Sequence, residues 1–183
     1  MELKKTEIIE KAAHIIMDSG LQTLTINNLA NEMNVQETQL YKQLTNDDDI
    51  LLMLLLSFET DIIEFVKELV NKGASPESEL KLLFKGLYFL FLQKPYYLSI
   101  IFDGELMKRD ASIKNSFLRI RNIAKNYLTG VIDAGKNENT FKTKETTVVM
   151  VNKLLSGFRF LMQEDQRVKE MILELKTLKT LKD

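Results

Sequence analysis

One spacing governs this chain. From Thr6 to Leu178 apolar residues return every three to four positions, the period of an α-helix, and no stretch alternates convincingly as a strand does. Only seven glycines and two prolines occur in 183 residues, so the punctuation that strand-to-strand turns need is scarce. The pattern predicts an all-α fold of about nine helices.

The first helix spans roughly Thr6 to Ser19, with Ile9, Ala12, Ala13, Ile16 and Met17 as its apolar stripe and Gly20 as its C-terminal cap. Thr25 is an N-cap for a short second helix, Ile26 to Met33, which Asn34 breaks. A third opens at Gln36 or Glu37 and ends near Leu44. Ala30, Val35 and Leu40 can pack across the turn between them, the layout of a helix-turn-helix. Asn46 caps a long fourth helix, with Asp47, Asp48 and Asp49 in its first turn and Lys72-Gly73 at its end. A fifth helix begins at Ser75-Pro76 and is apolar almost all round from Leu80 to Leu92, as a central helix is. Pro95 opens a sixth. A seventh runs from about Ala111 to Ala134, an eighth from Lys144 to Gln163 and a ninth from about Gln166 to Leu181.

Composition removes several function classes. Lys and Arg total 25 against 26 Asp and Glu, a net charge of −1, which excludes binding driven by bulk positive charge. There is no Cys and a single His, His14, more naturally a structural side chain than a base. No nucleophile–base pair, metal-ligand spacing or phosphate loop is visible, so neither an enzyme nor a cofactor is expected. The N-terminus carries no signal sequence. The longest apolar runs, Ile50–Leu56 and Leu87–Leu92, fall short of the ~20 residues that span a bilayer. The reading is a cytoplasmic protein with no membrane partner.

The Ala12-Ala13 pair, Gly20, Thr25, Leu29-Ala30, Val35 and Leu40-Tyr41 occur without gaps over about 45 residues. In these residues the chain resembles the TetR (tetracycline-repressor-like) family of transcriptional regulators. The resemblance implies a ligand-responsive repressor, a homodimer whose third helices enter successive major grooves of a double-stranded DNA operator. It implies a helix-turn-helix DNA-binding domain over residues 1–46 and a helical ligand-binding and dimerisation domain over residues 47–183. The fourth helix would be the lever between them, with the mechanical seam near Leu55. By position, Gln36, Thr38, Gln39, Lys42 and Gln43 would face DNA bases, Tyr41 would touch phosphate, and Thr25 and Asn27 phosphate or a nearby base edge.

The ligand implied is a small apolar or amphipathic molecule. Phe84, Tyr88, Phe91, Tyr97, Phe102, Arg119 and Tyr127 are candidates for its pocket, although the aromatic members read equally as core; Asp103, Glu105 and Gln163 are further polar candidates. Leu154, Gly157, Phe158 and Leu161 on the eighth helix, with Met171 and Leu175 on the ninth, are candidates for the dimer seam. The basic residues Lys108, Arg109, Lys114, Arg119, Arg121 and Lys125 read as a solvated face.

Three departures matter. Thr38 stands where the family often has Gly, Leu44 where it often has an aromatic residue, and Asp47 where a phosphate-binding Lys commonly sits. Residues 1–55 hold four lysines, no arginine and nine acids, a net charge of −5. That balance supports an alternative: a dimer of the same fold with weakened or lost DNA binding, acting as a protein-interaction or ligand-binding module.

Overall fold

The computed structural model describes residues 3–161, with side chains through Phe158. The described residues form eight α-helices and two short 3-10 turns, with no strand among them. In order these are α1 (Lys5–Ser19), a 3-10 turn (Leu21–Thr23), α2 (Ile26–Met33), α3 (Glu37–Leu40), α4 (Asp47–Asn71), α5 (Pro76–Gln93), α6 (Tyr96–Ile101), a 3-10 turn (Leu106–Lys108), α7 (Ala111–Asn137) and α8 (Thr147–Leu161). The predicted ninth helix, with Met171 and Leu175, lies outside the described residues. None of the described helices is long and apolar enough to cross a membrane.

The described helices pack as two compact units, the first holding the described residues up to Asp61 together with Phe91–Ile120, the second Ile62–Leu90 and the described residues from Arg121 on. In the first, α1 packs on α2, on the turn that follows it and on α6. Ile8, Leu29, Leu40, Ile50, Leu54 and Tyr97 are completely or almost completely buried there. Gly20 takes a φ of +92°, a left-handed value that a side chain rarely adopts, and its amide closes α1 on the Ile16 carbonyl.

Polar contacts fix the first unit at two places away from its N-terminus. Tyr97, with no exposed surface, donates its hydroxyl to Asp61 Oδ2 at 2.6 Å. The same oxygen receives Lys94 Nζ at 2.6 Å. Burial first, and then the Asp61 bond, hold the Tyr97 phenol far above its ordinary range. Phe58 and Tyr96 stack on the same ring, each with its centroid 4.5 Å away. Just before Asp61 on α4, Glu59 receives a two-pronged bond from Arg119, at 2.8 and 2.9 Å. Arg119 is thereby committed to an ion pair inside this unit.

In the second unit the last turns of α4 meet α5, α7 and α8 around a core that includes Ile62, Leu80, Phe84, Leu128, Ile132 and Val151. Tyr127 donates its hydroxyl to Glu79 at 2.7 Å, joining α7 to α5, and burial raises its pKa. Lys153 on α8 pairs with Glu145.

The Glu59–Arg119 pair predicts an acid limb of stability. The bond from Arg119, before all other causes, lowers the Glu59 pKa below its usual 4.5. A group with a lowered folded-state pKa stabilises fully above that usual value and ceases to as pH falls through its folded one. With Arg119 half exposed, the pair is worth up to about 1 kcal/mol at neutral pH. Urea unfolding followed by circular dichroism should find Glu59→Gln less stable than wild type at pH 7, the gap closing below pH 4.5; a gap constant with pH refutes the assignment.

Candidate nucleic-acid interface and apolar cavity

The interface starts from the ends of α2. Thr25 accepts the Asn28 amide at 3.1 Å through its hydroxyl, as an N-cap should. At the other end Asn34 adopts the left-handed conformation (φ 53°, ψ 46°). The Val35 amide then reaches back to the Ala30 carbonyl and the Asn34 amide to that of Asn31. This paired closure is a Schellman motif, and it redirects the chain within two residues so that α3 can begin at Glu37. Asn27 Nδ2 donates to Glu37 Oε1 at 2.7 Å, tying α2 to α3 through their exposed sides.

The expected third helix, ending near Leu44, is shorter than the sequence pattern suggests. Regular α-helix covers Glu37–Leu40 alone, followed by a turn through Gln43. The amides of Gln43 and Leu44 both end on the Leu40 carbonyl, at 2.9 Å each, which tightens the winding. Leu40 and Leu44 remain buried on one side, so the segment keeps a single outward face.

Of the eight residues read as DNA-facing, Asn27, Gln36, Thr38, Tyr41, Lys42 and Gln43 are exposed, Tyr41 by 53%. Thr25 and Gln39 are half-buried. Five of the eight have internal engagements: Thr25 caps α2, Asn27 holds Glu37, Thr38 donates its hydroxyl to Gln36 Oε1 at 3.5 Å, and Gln43 donates through Nε2 to the Leu3 carbonyl at 2.9 Å. That last bond sets the chain at Lys4 beside the chain at Lys42, and Lys4, Lys5 and Lys42 are all exposed.

Each carboxylate of the acidic triplet accepts a bond from within the fold, although Asp47 itself is exposed. Asp47 accepts the Ile26 amide, the first of α2, at 2.7 Å. Asp48 pairs with Arg109 at 3.0 Å. Asp49 accepts the amides of Thr45 and Asn46, while its own amide donates to the Asn46 side chain at 3.2 Å, a reciprocal capping box. Glu32 is likewise engaged, by Lys11 at 3.4 Å and His14 at 3.1 Å. Carboxylates that the sequence reads as a repulsive cluster are thus each assigned to a donor.

The second unit contains a cavity of about 50 Å³ where α4, α5, α7 and α8 converge. Phe65 and Val66 of α4, Phe84 and Leu87 of α5, Tyr127 of α7, and Leu154 and Phe158 of α8 are among its walls. The lining is aliphatic and aromatic throughout, so it offers only apolar contact. Two of the seven residues expected at a pocket, Phe84 and Tyr127, lie on it. Phe91, Tyr97, Phe102 and Arg119 belong to the first unit, and Tyr88 is 43% exposed on α5. Leu154 and Phe158, read from sequence as dimer contacts, face this cavity; Gly157 is half-buried beside them. The sequence does not single out the wall residues on α4, which sit inside a long apolar stripe. No group of side chains suited to a metal ion occurs among the described residues.

No protein-family model matches the chain. It is similar to the fatty acid metabolism regulator protein of Bacillus subtilis (strain 168), with 23% identity over 139 residues, 76% of this chain and 71% of that protein. The structure of FadR from Bacillus subtilis in complex with stearoyl-CoA superposes with a TM-score of 0.75 at 18% identity, covering 95% of this chain and 98% of that one. PfmR, a TetR family transcriptional regulator from Thermus thermophilus, reaches 0.77 at 15% identity, covering 94% and 98%. The all-helical fold is therefore the one these regulators share, in agreement with the resemblance carried by the helix-turn-helix residues.

The Asp47–Ile26 contact yields a stability prediction. Asp47→Ala strands the first amide of α2 and is expected to cost about 1 kcal/mol, whereas Asp47→Asn keeps an acceptor and costs less. Denaturant midpoints at constant slope measure both. Equal losses for the two variants would contradict the contact.

Proposed function

We propose that this chain is a DNA-binding transcriptional regulator of the TetR type that acts as a homodimer and releases its operator when an apolar or amphipathic ligand occupies the cavity. The observation that carries the reading is the α2–α3 turn, whose Schellman closure leaves Gln36, Thr38, Tyr41 and Lys42 on one exposed face. Residues 1–46 serve as the reading head and residues 47–183 as the ligand-binding and dimerising part. Dimerisation runs through α8 and the segment after it, including Leu161, Met171 and Leu175. The chain of α4 contributes both to the head's bracing, through Asp47 and Asp48, and to the cavity wall, through Phe65 and Val66.

The chemistry at the head is division of labour. Lys4, Lys5 and Lys42 neutralise phosphates, and Tyr41 adds a hydroxyl contact. Gln36 and Gln39 present amides that pair with the N6 and N7 of adenine, and Thr38 offers a methyl to thymine. The wholly apolar cavity supports an apolar ligand, with a long acyl chain as its occupant. The complex of Bacillus subtilis FadR with stearoyl-CoA supports that choice.

A second reading rests on the net charge of −5 in residues 1–55: the same dimer, engaging a basic protein partner in place of DNA.

Binding of the purified protein to its own upstream DNA, followed by fluorescence anisotropy over a salt series, separates the two. Three lysines per protomer predict a slope of about −5 for log Kobs against log salt, and Lys42→Ala should reduce it by about 2 per dimer. Half-sites should lie ~34–36 Å apart. No binding at low salt, together with capture of a basic protein, sinks the DNA reading.

A further inference from the structure

We infer that Phe65 is a removable plug that decides which chains enter the cavity and that Gly86 is its seat; the inference rests on the apolar-ligand reading above and sharpens it. A β-carbon built on Gly86 would lie 2.2 Å from Phe65 Cζ and 2.4 Å from Cε2, closer than any real contact. The ring therefore occupies the space a side chain at position 86 would fill. It also forms part of the cavity wall, yet it is only half-buried, so one side of the ring meets the void and another meets water.

As it stands the cavity, about 50 Å³, is far smaller than the roughly 300–1,000 Å³ of ordinary ligand pockets. A flexible chain can enter only if a wall side chain leaves. The other aromatic walls are poor candidates; Phe158, near the end of α8, is engaged in a contact of its own. Phe84 is 2% exposed in the core, and Tyr127 is anchored through its hydroxyl to Glu79. Phe65 has no hydrogen bond and no ring partner among the described residues; dispersion against Gly86 and its neighbours holds it. Rotation about its χ1 would hand the volume of six ring carbons to the void and open it to solvent in one step. What enters must be unbranched and free of polar atoms along its buried length, because the lining has no unengaged partner for them. A methyl group at position 86 has the opposite effect: it drives the ring off its seat into the void and fills it.

Titration calorimetry of the full chain with octanoate, dodecanoate and hexadecanoate tests this in wild type, Gly86→Ala, Phe65→Leu and the double variant, each first checked for folding by circular dichroism. Gly86→Ala should weaken hexadecanoate binding about tenfold, and Phe65→Leu should tighten it. The double variant should bind like Phe65→Leu, since the new methyl then meets no ring. Additive effects, with the double variant about tenfold weaker than Phe65→Leu, overturn the plug while wild-type binding leaves the ligand reading standing. Absence of binding in all four proteins overturns both. Should Gly86→Ala fail to fold, Phe65→Leu decides alone: tighter binding supports the plug, and unchanged or weaker binding overturns it.

Discussion

A single carboxylate on a single amide organises the head. Asp47 in the first turn of α4 receives the first amide of α2, at a distance typical of a charge-assisted bond. Two helix N-termini are thereby brought to one anion, and each has an excess of unsatisfied donors that such an anion relieves. Asp48 and Asp49 extend the arrangement, one to Arg109 and one to the cap of α4 itself. Without this cluster the start of α4 would have nothing polar to fix it to α2, and the orientation of the exposed α3 face would lose its reference.

Under the proposed reading, the same cluster lets an acidic segment present a face to a polyanion. Charge counted along the sequence treats every carboxylate as a source of repulsion. In the folded chain Asp47, Asp48, Asp49 and Glu32 each accept a bond, from amides, Arg109, Lys11 or His14, and Lys4, Lys5 and Lys42 are exposed without a carboxylate partner among the described residues. Under the proposed reading, recognition by such a surface would lean on hydrogen-bond readout from Gln36, Gln39 and Thr38 more than on bulk attraction.

Much of this is legible in the sequence because it is local. Helix positions follow from the 3.6-residue period, and Thr25, Asn34 and Asn46 announce their caps by residue type alone. What escapes is what depends on distant partners. The pattern of Leu40 and Leu44 fits a longer third helix; only the convergence of two amides on one carbonyl shortens it. In the sequence Arg119 is available to a ligand, but Glu59, sixty residues earlier, holds it. The cavity is invisible for a related reason: periodicity tells which face of a helix is buried, not whether four such faces leave a gap. Gly86, a lone glycine within an apolar helix, is a local sign of an unusually close approach at this wall of the cavity.

The void among α4, α5, α7 and α8 gives the second unit a mechanical property as well as a chemical one. Empty space that water refills on unfolding makes the unfolded chain the smaller species, so hydrostatic compression favours it in proportion to the space lost. Filling the gap removes that advantage. Under the proposed ligand reading, occupancy and resistance to compression rise together, and pressure becomes a gauge of how full the cavity is.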